Sequence, residues 1–130
     1  MTTEIHGVQV FELAAKGKKL RTARDATDVM GEALSQGARW IVIPVERLDE
    51  DFFRLKTGVA GEIVSKLVVY RVGVAFVGDI SRYVEASDSF RAFVREANRG
   101  KDFWFLADAE ELRQRLARVE ATRPIDQEQR

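Results

Sequence analysis

Lys56, Thr57 and Gly58 stand directly before a helical pattern and bring a positive charge, a hydroxyl and an open backbone to its start. The first amides of a helix lack partners within the helix, and the helix dipole places partial positive charge there. A phosphate or a carboxylate could bind at this start, with Gly58 and Gly61 allowing close approach. In the simpler alternative, Thr57 is a helix cap contributing about 1 kcal/mol, and the glycines serve turn geometry and helix packing.

A second candidate site lies at the end of a strand-like run. Asp79 follows Gly78 there, and open parallel sheets place ligand crevices at the carboxyl ends of their strands. Glu46 follows an earlier strand-like run and is expected along the same edge. The two carboxylates could form an acid/base pair or bind one hard cation. Alternatively, Asp79 only stabilises a turn or caps the next one.

A polar connection follows Asp79 and contains Ser81, Arg82, Tyr83 and Ser87. It is long enough to act as a binding loop. Arg82 could bind an anionic ligand or pair with Asp79.

The segment from Lys16 to Arg24 is basic, whereas Asp49–Asp51 is acidic. Such runs are usually solvated faces. The functional alternative is electrostatic docking, for instance of one protomer on another in a homo-oligomer.

The chain has 130 residues, which is the size of one domain with a sizeable core. Lys and Arg together number 21, as do Asp and Glu, so the charges balance. No nucleic-acid partner is therefore expected. The apolar runs are far shorter than the roughly 20 residues that cross a bilayer, so we expect a soluble, cytoplasmic protein without a membrane span.

Several kinds of chemistry are excluded by composition. There is no cysteine, and His6, the only histidine, is expected in a hairpin turn. Metal sites built on several imidazoles are therefore excluded, which leaves oxygen ligands for a hard cation. No paired nucleophile and base, metal cluster or cofactor fingerprint can be assembled. We assign no catalytic residue and no metal ligand, and the cofactor stays unknown.

Strand-like and helix-like patterns alternate along the chain. Strands are predicted at Thr3–Ile5 and Val8–Ala14 as a hairpin, and at Trp40–Ile43, Val72–Val77 and Phe103–Leu106. Helices are predicted from Ala26 to Gly37 with Thr22 or Asp25 as cap, over Val59–Val69, from Ser87 to Gly100, and from Asp108 through Val119. A short turn at Phe52, Phe53 and Leu55 is expected to plug the core.

This ββαβαβαβα order predicts an α/β fold with a single, mostly parallel sheet flanked by helices and an antiparallel N-terminal edge strand. In the last strand, Trp104 should face away from Phe103 and Phe105. We expect one domain over residues 1–119 and a polar, disordered tail over residues 120–130.

Two long runs, residues 55–83 and 90–112, resemble a small bacterial family known as domain of unknown function 4180. The similarity extends from about Gly7 to Leu116. Its landmarks are Phe53, Lys56-Thr57-Gly58, Ala60-Gly61-Glu62, Tyr70-Arg71, Gly78-Asp79, Asn98 and Gly100. This family carries no agreed activity, so the resemblance implies a fold without a function.

The order of elements is also similar to the sulfate-transporter and anti-sigma-antagonist domain, the SpoIIAA-like fold. In those domains a loop equivalent in position to Lys56–Gly58 carries a regulatory, phosphorylatable Ser or Thr. This chain has Thr57 there, without the Asp-Ser pair typical of that loop.

We therefore expect a non-enzymatic binding or regulatory module that engages a protein partner or a small anionic ligand. The alternative is a small enzyme that uses Lys56, Thr57, Asp79 and Arg82 around the strand-end crevice. Side chains gathered in one pocket would favour the enzyme.

Overall fold

The computed structural model describes residues 2–122. Its strands are β1 (Thr2–Ile5), β2 (Val8–Glu12), β3 (Trp40–Pro44), β4 (Gly73–Val77) and β5 (Phe103–Leu106). Its helices are α1 (Ala23–Ser35), α2 (Val59–Val69), α3 (Ser81–Ala86), α4 (Asp88–Arg99) and α5 (Ala109–Thr122). Short 3₁₀ turns lie at Val45–Arg47, Glu50–Phe53 and Leu55–Thr57.

The strands form one sheet in the sequential order β1-β2-β3-β4-β5. The β1 strand pairs with β2 in antiparallel fashion, and the other neighbours are parallel. The predicted fold class is confirmed, including the parallel arrangement of β3, β4 and β5. Because each right-handed crossover leads to the next strand in the same direction, the crossover helices lie on one face of the sheet.

The first hairpin turns at His6 and Gly7, whose φ angles are 50° and 81°. Positive φ at both central residues is the geometry of a type I′ turn, which matches the twist of the flanking strands. His6 is exposed at this turn, as predicted. The β2 strand ends at Glu12, two residues before the predicted end.

Helix α1 begins at Ala23, earlier than predicted, because Thr22 and Asp25 form a capping box. Asp25 is buried, and its carboxylate accepts hydrogen bonds from the amides of Arg21 at 2.9 Å and Thr22 at 3.1 Å. Lys18 Nζ lies 3.1 Å from the same carboxylate. Burial alone raises the pKa of Asp25, but these hydrogen bonds outweigh burial and hold the pKa below its ordinary value.

The face that carries the crossover helices holds the larger core, which is rich in aromatic side chains. Phe52 comes from the Glu50–Phe53 turn and is completely buried between the rings of Phe76 and Phe105, at 5.2 and 6.3 Å between centroids. The predicted plug is therefore confirmed for Phe52 and Phe53, whereas Leu55 belongs to the next turn and is only partly buried.

Helix α5 covers the opposite face with Leu112 and Leu116. Trp104 points to this face and is 2% exposed, whereas Phe103 and Phe105 belong to the aromatic core, as predicted. The helix continues to Thr122, past the predicted domain boundary, and the rest of the predicted tail lies outside the described residues.

Candidate functional site

Two adjoining cavities lie at the carboxyl ends of β3 and β4, and together we name them the carboxyl-end cleft. Their volumes are about 400 and 520 Å³. They share Glu50, Phe53 and Tyr83, so the side chains of the Glu50–Phe53 turn and of α3 stand between them. The first cavity receives the exit of β4, and the second borders the segment before α2.

The exit of β4 requires glycine. Gly78 has a φ of 144°, and a Cβ atom at this position would stand 2.3 Å from Cγ2 of Val45. A side chain at residue 78 would therefore push apart the exits of β4 and β3. This close approach places Asp79 beside the first cavity.

A short helix, α3, replaces the predicted binding loop, and Asp79 holds its first amide from one position before the cap residue, Ile80. Asp79 Oδ1 accepts hydrogen bonds from the Ser81 hydroxyl at 2.7 Å and from the Ser81 amide at 2.9 Å. The two hydrogen bonds from Ser81 hold the pKa of Asp79 below its ordinary value. Short polar side chains favour such local caps, so Ser81–Ala86 becomes helical instead of remaining an open loop.

Arg82 pairs with Glu50, and the structure does not place it on Asp79. Arg82 Nη2 lies 3.3 Å from Glu50 Oε2 and donates a hydrogen bond to the Tyr83 hydroxyl. The Tyr83 hydroxyl in turn donates to Glu50 Oε2 at 3.0 Å. Contact with the Tyr83 hydroxyl, and secondarily with Glu50, raises the pKa of Arg82.

The ring of Tyr83 stacks on the buried ring of Phe53, with 3.9 Å between centroids and 6° between planes. This stacking fixes Tyr83 against the core, and Tyr83 positions the exposed guanidinium of Arg82. Glu50 and the Phe53–Tyr83 stack were missed from the sequence, because their partners are distant in the chain and no local pattern links them.

Glu46 lines the same cavity as Asp79, as predicted. Its backbone carbonyl accepts a hydrogen bond from Lys19 Nζ at 3.1 Å. Among the side chains that the structure describes, no group of three or more His, Cys, Asp or Glu is arranged to hold a metal ion.

Thr57 turns its hydroxyl toward the backbone. Its Oγ1 lies 2.7 Å from the Asp51 carbonyl and 2.8 Å from the Arg54 carbonyl, and it accepts the Val59 amide at 3.3 Å. Gly58, with a φ of 82°, is the residue that caps α2. Thr57 therefore supports the first amide of α2 from one position before the cap and joins two 3₁₀ turns.

Gly61 lies on the exposed side of α2, and nothing lies within 4 Å of the place where its Cβ would stand. Helix packing therefore does not require glycine here, contrary to the simpler alternative. The same open space surrounds Gly58, where the positive φ favours glycine.

The structure brings some of the predicted site residues together. Asp79, Ser81 and Arg82 line the first cavity, and Lys56 lines the second. Thr57, Gly58 and Gly61 line neither. The four residues of the predicted enzyme site are therefore not gathered in one cavity.

The basic segment and the acidic run meet within the chain. Arg21 pairs with Asp49 at 3.0 Å, and the Arg47 side chain donates to the carbonyls of Lys18 and Ala14, each at 2.8 Å. These contacts fasten the basic segment across the end of β3. Its charges are thus partly neutralised by the chain itself.

The protein is an α/β domain built on one sheet whose strands follow chain order. The carboxyl-end cleft is polar and lies at the ends of two central strands. None of the helices in residues 2–122 combines the length and apolar character needed to cross a bilayer. The chain belongs to the family described as Domain of unknown function (DUF4180), whose model matches residues 5–116. No curated protein and no solved structure matched the chain.

Proposed function

We propose that the protein is a non-enzymatic binding or regulatory module whose carboxyl-end cleft engages an anionic group, presented by a small ligand or by a protein partner. One observation carries the proposal. Arg82 and Lys56 line two cavities that adjoin at a fixed aromatic stack, and Lys19 and Arg54 also line them, so four cations border one crevice.

The Arg82 guanidinium is available for exchange. Its side chain is 75% exposed and pairs with Glu50, itself 58% exposed. Such surface pairs contribute little, so an incoming carboxylate or phosphate can take the place of Glu50 and form a bidentate pair. Lys56 Nζ makes no hydrogen bond or ion pair within the described part of the chain, so it can add a second charge.

Two features argue for binding rather than catalysis. A general base works best with a pKa near the working pH, whereas the pKa of Asp79 is lowered by Ser81. The Thr57 hydroxyl is occupied by backbone groups. A small enzyme built on Lys56, Thr57, Asp79 and Arg82 would have to move these groups into one pocket.

The SpoIIAA-like order of elements supports a regulatory role with a protein partner. On that resemblance, Thr57 corresponds to the loop in which those domains carry their phosphorylatable residue. We also propose a cytoplasmic location, which the lack of cysteine supports.

The test compares Arg82→Ala with Arg91→Ala. Arg91 is an exposed arginine on α4 that pairs with Asp88 and lines neither cavity, so its variant is a matched control. We expect a small dicarboxylate, inorganic phosphate or an acidic peptide to perturb the amide signals of Ser81 and Tyr83. Arg82→Ala should abolish the response, whereas Arg91→Ala should preserve it.

Native mass spectrometry of the freshly purified protein distinguishes a bound small anion from a co-purified partner. Equal responses of the two variants to every probe would contradict a binding site at Arg82.

A further inference from the structure

The opposite end of the sheet carries a separate groove, which we name the amino-end groove. Arg39, Arg71 and Lys101 line it, with Trp40 and Gly73 between them. Its volume is about 190 Å³, and it adjoins a cavity of about 420 Å³ that shares Arg71, Gly73 and Lys101.

These cations come together through the topology of the sheet. Each stands within two residues of the start of a strand: Arg39 before β3, Arg71 before β4 and Lys101 before β5. Because β3, β4 and β5 are parallel neighbours, their amino ends lie side by side.

The backbone holds the two arginines in place. The Arg39 amide donates to the Gln9 carbonyl at 2.8 Å, and the Arg39 carbonyl accepts the Gly73 amide at 3.0 Å. Arg71 has a φ of 61°, in the left-handed region that non-glycine residues seldom occupy. Strained conformations of this kind often accompany functional sites.

The described part of the chain does not neutralise these three charges. Among the side chains that the structure describes, those of Arg39, Arg71 and Lys101 form no ion pair and no hydrogen bond. Of the described residues, Asp102 alone brings a carboxylate to the adjoining cavity, and it pairs with none of the three cations. An anion in the groove would therefore be attracted by every cation present without displacing an internal partner, unlike an anion at Arg82.

Trp40 gives the groove a rigid wall. Its ring lies 4.3 Å from that of Trp104, between centroids, and a Cβ at Gly73 would stand 2.3 Å from the indole. The indole therefore lies directly on the backbone of β4, and Trp40 remains partly exposed. Binding beside it should change its fluorescence and its indole N–H signal.

We propose that the amino-end groove binds the dianionic phosphate group of a small molecule. The small volume suits one phosphate group, and two arginines with a lysine supply the planar and point-charge donors that phosphate favours. The source is either inorganic phosphate or a small phosphomonoester.

The experiment titrates the full chain with inorganic phosphate, with glycerol phosphate and with sodium chloride at matched ionic strength, while the Trp40 indole N–H signal is followed. We expect saturable shifts with at least one phosphate compound at about millimolar concentration. Tighter binding of glycerol phosphate would identify a phosphomonoester site, and tighter binding of inorganic phosphate would identify a free-phosphate site.

Variants assign the response to the groove. Arg39→Gln and Lys101→Gln should each weaken binding about tenfold, because each removes one charged hydrogen-bond donor. Arg71→Gly removes the charge while easing the backbone, so it should lose affinity yet remain folded. Arg91→Ala is the matched control and should bind as the wild type.

Three results would overturn the proposal: chloride shifts equal to those of phosphate, unchanged affinity in Arg39→Gln and Lys101→Gln, or far tighter binding of an RNA oligomer. Arg82→Ala separates this proposal from that of the carboxyl-end cleft, because it should leave the Trp40 response intact.

Discussion

The cations at the two ends of the sheet differ in whether they are paired with carboxylates. At the carboxyl end, Arg82 pairs with Glu50, and Arg21 pairs with Asp49. At the amino end, Arg39, Arg71 and Lys101 line one groove without an acceptor in the described chain. The difference follows from the connections: long segments fold back over the carboxyl end and bring carboxylates with them, whereas short turns lead into the strands at the amino end.

The comparison predicts two kinds of anion binding. A ligand at the carboxyl-end cleft must compete with Glu50, which lowers its apparent affinity. A ligand at the amino-end groove meets no internal competitor among the described residues and also relieves repulsion among the cations.

The largest expected effect concerns the scaffold that both ends share. Ile63 on α2 and Val74 on β4 are fully buried. Ile63→Ala and Val74→Ala should each lower the free energy of unfolding by about 2 to 4 kcal/mol through lost burial and a residual cavity. Val69→Ala, at a residue of α2 that is 71% exposed, is the control and should change little. An unchanged urea midpoint for Ile63→Ala would mean that the face of α2 that carries Ile63 does not pack against the core.

A matched pair of substitutions tests backbone strain at the two ends. Gly58 and Arg71 both have left-handed backbones, with φ angles of 82° and 61°. Gly58→Ala should destabilise the protein by about 1 kcal/mol, and Arg71→Gly should stabilise it by a similar amount. Thermal unfolding measures both. If both substitutions shift the midpoint of thermal unfolding in the same direction, this assignment of backbone strain is wrong.

A third prediction separates structure from binding at the start of α2. Thr57→Ala should lose about 1 kcal/mol, because the hydroxyl holds the first amide of α2 and joins two turns. Lys56→Ala should barely alter stability but should weaken anion binding at the carboxyl-end cleft. Chemical denaturation and the amide signals of Gly58 to Gly61 are the measurements. If these amide signals do not shift at about millimolar phosphate and no phosphothreonine is found, Thr57 has only a structural role.

The smallest expected effect is a pH dependence at Asp25. Its pKa is lower in the folded chain than the ordinary value of 3.8, because hydrogen bonds outweigh burial. The ionised carboxylate therefore stabilises the fold above that ordinary value, and the contribution is lost as the pH falls through the lower, folded pKa. Urea midpoints of wild type and Asp25→Asn should differ clearly at neutral pH and converge in strong acid. If the difference in urea midpoint between the two proteins widens as the pH falls, the pKa of Asp25 is raised by folding and not lowered.

Much of the fold could be predicted because its signals are local. The apolar runs at Trp40–Ile43 and Phe103–Leu106, and the helical spacing of Val59–Val69, each specify one element without reference to the rest. The short helix α3 was missed because Asp79, which accepts its first amide, lies two residues before it, and a turn explained that residue equally well.

The sites depend on distant pairs and could be predicted only in part. Asp79 and Glu46 could be placed on one edge, because both follow strands. The stack of Tyr83 on Phe53 has no local signal. The amino-end groove could have been predicted from the positions of its cations. Each of Arg39, Arg71 and Lys101 shortly precedes a strand. This pattern is recognised only if the residues before parallel strands are compared in the same way as the residues after them.

The central claim is that this protein is a binding module with anion sites of different character at its two ends. Its most direct test is one phosphate titration of the wild-type chain, followed at every backbone amide and at both indole N–H groups. Signals of Trp40 and Gly73 should saturate first, and those of Ser81 and Tyr83 should move only at higher concentration, because Arg82 must leave Glu50. Signals that stay still at both ends at about tens of millimolar phosphate would contradict the claim.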